Sequence, residues 1–231
     1  MDKNNVTPKA SPREVLFFEL EYIATTGRAA LFDAVKKALA GRVDVTPVSF
    51  GRTGAAGRPA ALIPELLKAA GKEAAGTEEL IAAAEEAMAQ FFAEKAELNK
   101  ALPPLIKEAQ SKNIQVVAMS AWPEEAAETL MKRLGLDEMG VELEAFDVTD
   151  GAFPRADHWL RMLKVRNQET LPAIAAVSSQ TACKGALTAA ATCIAVPDEY
   201  TNFEDFSGAK FILESLGDVP AKEIIALVTR R

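Results

Sequence analysis

Hydrophobic residues are distributed along this chain in two rhythms. The unbroken apolar run Val15-Leu16-Phe17-Phe18 leads into Glu19, Leu20 and Glu21. Such a run, short and bounded by polar residues, reads as a strand buried on both faces, expected over Glu14 to Leu20. The next segment follows another rule. Apolar residues recur at helical spacing from Ala29 to Leu39 and from Ala60 to Ala70, and Thr77 with Glu78 and Glu79 marks the start of a helix reaching about Asn99. Nothing between Arg28 and Leu102 reads as a strand, and Pro103-Pro104 punctuates the chain.

Downstream, short apolar runs alternate with helical patterns. Ile114 to Met119 is a strand candidate; Pro123 suits a first helical position and Gly135 ends that helix. A possible strand in VELEAF precedes the turn TDGAFP and a helix over Ala156 to Val165. Ala173 to Val177 and Cys193 to Val196 are two further strands, separated by the helix QTACKGALTAAAT. Phe211 to Leu213 reads as an edge strand, and Pro220 opens a terminal helix. Alternation of this kind predicts an α/β fold with a doubly wound parallel sheet. Because the helical block falls after the first strand, the expected organisation is a discontinuous core, 14–27 with 103–231, and an inserted helical cap, 28–102. Residues 1–13, MDKNNVTPKASPR, contain no apolar stretch and read as a disordered leader, not a signal peptide.

Charge and composition narrow the partners. The formal charge of −7 and the absence of any Lys/Arg run argue against nucleic acid and against an anionic membrane surface. No apolar run approaches membrane-spanning length. Cys183 and Cys193 lack metal-ligand spacing and supporting histidines, so they read as small core residues of a reducing compartment. A cytoplasmic location is expected.

The candidate chemistry begins at the first strand. Residues two apart on a strand face the same side, so Glu19 and Glu21 are expected to project together from its C-terminal end; they mark either the place where open α/β sheets bind ligands or simply where the strand leaves the core for water. Phe18-Glu19-Leu20-Glu21, Val116-Val117-Ala118-Met119-Ser120, Phe153-Pro154-Arg155-Ala156-Asp157 and Val177-Ser178-Ser179 follow in order. Together with the inserted helical block, they resemble the motifs of the haloacid dehalogenase superfamily, in its β-phosphoglucomutase and CbbY-like branch. In that family the first strand carries Asp-x-Asp. The first aspartate attacks phosphorus, and the second is the acid/base. A Ser or Thr ending the second strand holds phosphoryl oxygens, a Lys neutralises charge, and a final acidic residue helps bind magnesium.

The resemblance implies a nucleophile at Glu19, an acid at Glu21 and a phosphoryl clamp at Ser120, yet both carboxylates are lengthened by a methylene. Phe153 stands at the lysine and Ser178 at the aspartate. A displacement of the attacking atom by about 1 Å can cost about a hundredfold in rate, and magnesium demands near-ideal oxygen geometry. The leading expectation is therefore a degenerate relative acting as a binding or regulatory protein, without a cofactor, toward a small phosphorylated metabolite or a protein partner. The alternative is an altered magnesium-dependent phosphohydrolase, with Glu19, Glu21, Asp147 or Asp150 as metal ligands, although Asp147 and Asp150 also read as residues of a solvated turn. Arg155 or Lys184 would then replace the missing cation. In SFGRTGAAGRP, Arg52 and Arg58 offer an anion contact or belong to a plain mobile loop. Trp122 either borders the cleft or packs the helix start, and His158 reads as a surface or packing residue.

Overall fold

A computed structural model describes residues 14–53, 57–72, 75–149, 151–165 and 172–229. The leader and Asp150 lie outside the described residues. Six strands form one sheet: β1 (Glu14–Glu19), β2 (Ile114–Ser120), β3 (Glu142–Ala145), β4 (Ala173–Val177), β5 (Thr192–Ala195) and β6 (Phe211–Ile212). Their order is β3-β2-β1-β4-β5-β6, and every pairing is parallel. Val15, Leu16, Phe17 and Phe18 are all fully buried although they point alternately to opposite faces, so both faces of the sheet are covered. This is why the sequence shows an unbroken apolar run.

The chain changes direction across the sheet at β1, whose neighbours are β2 on one side and β4 on the other. Loops beyond the strand ends diverge at such a point and leave a crevice. The register brings Phe17 level with Val117 and with Ala175. Glu19, Ser120 and Ser178 thus emerge along one edge.

Ten α-helices surround this sheet among the described residues. Between β1 and β2 lie α1 (Leu20–Ile23), α2 (Gly27–Ala38), α3 (Pro47–Arg52), α4 (Pro59–Ala69), α5 (Thr77–Gln90) and α6 (Leu102–Ser111). A π turn, Phe91–Lys95, continues α5. The remaining helices are α7 (Glu124–Leu134), α8 (Ala156–Val165), α9 (Gln180–Thr188) and α10 (Ala221–Thr229). Helix α6 packs on β2 and α10, while α9 packs on β5 and α8. Trp159 of α8 meets Phe17 edge-on at 5.7 Å in the centre of the core.

Three local expectations need correction. The first strand stops at Glu19, and Leu20 and Glu21 belong to the single turn α1. The helix expected to reach Asn99 ends in the π turn at Lys95, and the α5 N-cap is Gly76 in a left-handed conformation, not Thr77. The chain then returns to the sheet where the Asn99 amide donates to the Ala24 carbonyl at 2.7 Å. Pro103-Pro104 falls in the first turn of α6, where a missing amide donor costs nothing.

Candidate active site

Three strand ends and one helix start build the centre. Glu19 terminates β1 in an extended conformation, and the chain turns at once into α1. Helix α2 then starts against this turn: a Cβ on Gly27 would collide with the Glu21 carbonyl, so only glycine permits the approach. The two glutamates, both 1% exposed, therefore diverge; they do not share a strand face.

Glu19 leans toward β4. Its Oε2 accepts the Ser178 amide at 2.5 Å and the Ser178 hydroxyl at 2.7 Å, while Oε1 is buried without a hydrogen-bond partner. Glu21 leans toward β2, where Oε1 accepts the Ser120 hydroxyl; the Ser120 oxygen in turn accepts the Trp122 amide at 3.0 Å. Burial pushes both carboxyls up from 4.5 to about 7. Arg28 and the Ser178 bonds oppose this at Glu19, and the Ser120 bond and Arg58 oppose it at Glu21. Charging either carboxylate in so dry a place is costly, and the serine bonds offset only part of that cost.

Arg28, on the first turn of α2, is the residue sequence motifs did not point to. It is 1% exposed, donates to Asp198 at 2.5 Å and to the Ser178 hydroxyl oxygen at 2.7 Å, and lies 4.1 Å over the Tyr22 ring. Asp198 and Ser178 are tied together again by Thr201, whose hydroxyl donates to the Ser178 carbonyl at 2.7 Å and accepts the Asp198 amide at 3.1 Å. A signal was present in the helix periodicity. The buried stripe Leu31, Phe32, Val35, Leu39 extends one turn back onto Arg28, an arginine on an apolar face.

The other candidates separate. Arg58 is buried beneath the inserted helices, where it pairs with Asp147 at 2.5 Å and Glu85 at 2.8 Å and lies 5.0 Å over the Trp122 ring. Trp122 itself meets Phe92 edge-on at 5.1 Å, so this cluster joins the inserted helices to the end of β2. Arg52 is exposed on α3 and lines an outer groove of the inserted segment, apart from the glutamates. Arg155 pairs with Asp157 at 3.3 Å, and Lys184 with Asp205 at 3.1 Å and with Ser207. His158 accepts the Arg155 amide through Nδ1 at 3.0 Å and packs against Phe146 and Phe153. The Cys183 and Cys193 thiols are both free and buried, 3.2 Å apart. A cavity of about 570 Å³ borders Arg28, Asp198, Thr25 and Asn99; none of Glu19, Glu21, Ser120 or Ser178 lines it.

Phe153 is core. It is 1% exposed, with its ring 5.2 Å from Phe146 and 5.0 Å from His158, and the Phe153–Pro154 bond is cis. A lysine there would lose the ring packing and bury an ammonium group. Phe153→Lys is expected to cost about 3–5 kcal/mol in urea denaturation; a loss below about 1 kcal/mol would show that an ammonium group is accommodated there.

No family model matches the sequence, and no curated protein matches it. Solved structures do. CbbY from Rhodobacter sphaeroides, in complex with phosphate, superposes with a TM-score of 0.70 at 19% identity, over 89% of this chain and 95% of that one. A hydrolase from Pseudomonas syringae gives 0.71 at 16% identity, over 94% and 98%. A haloacid dehalogenase-like hydrolase from Streptococcus pneumoniae gives 0.70 at 14% identity, over 95% and 99%. With its all-parallel sheet, its helices inserted after β1 and its polar centre at the ends of β1, β2 and β4, the chain has the haloacid dehalogenase fold.

Proposed function

We propose that this chain is a haloacid dehalogenase-fold protein that no longer transfers phosphoryl groups and serves as a binding or regulatory protein. The observation carrying this reading is that the serines at the strand ends are turned onto the two glutamates, not toward an open phosphate site, while the second oxygen of Glu19 stays buried without a partner. Glu19 is held by Ser178, Glu21 by Ser120, and Phe153 is part of the hydrophobic core. Phosphoryl transfer depends on positive charge directed at the transferring oxygens. Arg28 and Arg58 are the buried cations nearest the glutamates, and both already face carboxylates of the chain. Small phosphorylated metabolites are the favoured ligand class, since CbbY carries phosphate and a variant of it carries xylulose-(1,5)bisphosphate. A protein partner bound outside the centre is the other form of the same reading.

A second reading has its own support. Both glutamates titrate near pH 7, the range in which a carboxyl group serves well as a general acid or base. Glu19 would then be the nucleophile or base and Glu21 the acid, in an altered phosphohydrolase.

The deciding experiment is an assay of purified protein against an aryl phosphate and a panel of sugar phosphates, with and without magnesium, beside Glu19→Gln. The expected outcome is no turnover, or a trace equal in both proteins. Turnover abolished by Glu19→Gln would replace the binding reading with the altered enzyme.

A further inference from the structure

The donor set at the strand ends does not fit a divalent cation. Magnesium asks for a near-octahedral shell of oxygens, with protein carboxylates supplying part of it. Here Ser178 contributes a neutral hydroxyl whose proton, like its amide, is directed at Glu19. Glu21 is drawn away to Ser120. Among the described residues no three His, Cys, Asp or Glu side chains are grouped to hold a metal ion.

Positive charge nevertheless reaches Glu19. The Arg28 guanidinium donates to the same Ser178 oxygen that donates to Glu19, so one hydroxyl links cation and carboxylate. Its other amino group holds Asp198, and Tyr22 covers its face. A guanidinium is planar, permanently charged and weakly hydrated, which suits it to a buried position that an ammonium group would vacate or neutralise.

We propose that Arg28 is a resident cation, taking the place of a divalent metal ion beside Glu19 and making this centre metal-free. The 570 Å³ cavity reaches Arg28 and Asp198, whose side chain is 36% exposed, but not Glu19 or Ser178, so an aqueous ion in it comes to the centre from the Arg28 side. It would meet a fixed positive charge and a carboxylate already paired. Helix α2 thus delivers from within the chain what a bound ion would deliver from solution.

The test is metal binding, which is independent of turnover; the assay proposed above can fail or succeed without changing its result. Free Mn²⁺ is measured by electron paramagnetic resonance, and thermal unfolding is followed in about 10 mM Mg²⁺ and in EDTA. Wild type is expected to unfold at the same temperature in both, and to bind no Mn²⁺ that is lost in Glu19→Gln. Mn²⁺ uptake that persists in Glu19→Gln lies elsewhere and leaves this centre metal-free, as proposed. Arg28→Met combined with Ser178→Asp is expected to gain one Mn²⁺ and to unfold several degrees higher in Mg²⁺ than in EDTA. Ser178→Asp alone, with Arg28 in place, is expected to gain none; it keeps the question decidable if the double variant does not fold. Glu19-dependent Mn²⁺ binding by wild type, or any gain in Ser178→Asp alone, would overturn the proposal. So would a folded double variant that takes up no more Mn²⁺ than wild type.

Discussion

Raising the pH from about 5 to about 8 is expected to destabilise the protein by about 3 kcal/mol for each of two buried glutamates. Glu19 and Glu21 are both pushed from 4.5 to about 7, chiefly by burial. In the unfolded chain they ionise near 4.5. Below that pH both states hold the protons, and the stabilisation is present in full. Between 4.5 and about 7 the unfolded chain has released protons that the folded chain retains. Each pH unit then removes about 1.4 kcal/mol per group, and above about 7 the loss is complete. Glu19 also raises Glu21 through space, which adds to the effect of burial there.

The groups facing this pair set the position of the fall. Arg28 lowers Glu19 and Asp198 raises it, while Ser120 and Arg58 lower Glu21. Asp205, held down to about 2 by bonds from Ser207 and Lys184, acts only at far lower pH. Urea denaturation at four pH values between about 5 and 8 measures the slope. Glu19→Gln combined with Glu21→Gln should remove most of it. A wild-type stability that is level or rises across this range would contradict the assignment.

The sheet was legible because burial on both faces leaves an unbroken apolar run, as in Val15–Phe18. Its alternation with helices implied parallel pairing, while the order of the strands emerged only in the structure. Boundaries were less legible where the chain leaves the sheet. Leu20 extends the apolar pattern of β1 without belonging to it, because α1 buries Leu20 as completely as a strand would. The positions of Glu19, Ser120 and Ser178 were legible through the resemblance, since its motifs sit at strand ends: Glu19 closes β1, Ser120 closes β2 and Ser178 follows β4. Arg28 and Asp198 were not, since they lie 170 positions apart and meet only when α2 and the loop after β5 close over the same edge. Phe153 shows the opposite difficulty. Its position in a motif drew attention to chemistry, whereas its contacts with Phe146 and His158 are those of the core.

Replacing Arg28 by methionine is expected to cost about 2–3 kcal/mol, short of the range found for a fully buried ion pair because the Asp198 side chain is 36% exposed. Methionine fills much of the volume but supplies no donor. Asp198 loses its 2.5 Å partner, the Ser178 hydroxyl loses its donor, and Glu19 keeps its two serine bonds with no cation beyond them. Arg28→Lys should recover only part of the loss, because a single ammonium group cannot serve Asp198 and Ser178 while covering Tyr22. Asp198→Asn should remove much of the penalty from Arg28→Met, giving a coupling of about 0.5–3 kcal/mol in a double-mutant cycle. A pH signature separates this role from simple packing. Since Arg28 holds Glu19 down, its loss should raise Glu19 further and carry the alkaline fall in stability to higher pH. An Arg28→Met protein that loses less than about 1 kcal/mol, or whose pH profile matches wild type, would show that the guanidinium is not the cation on which this centre depends.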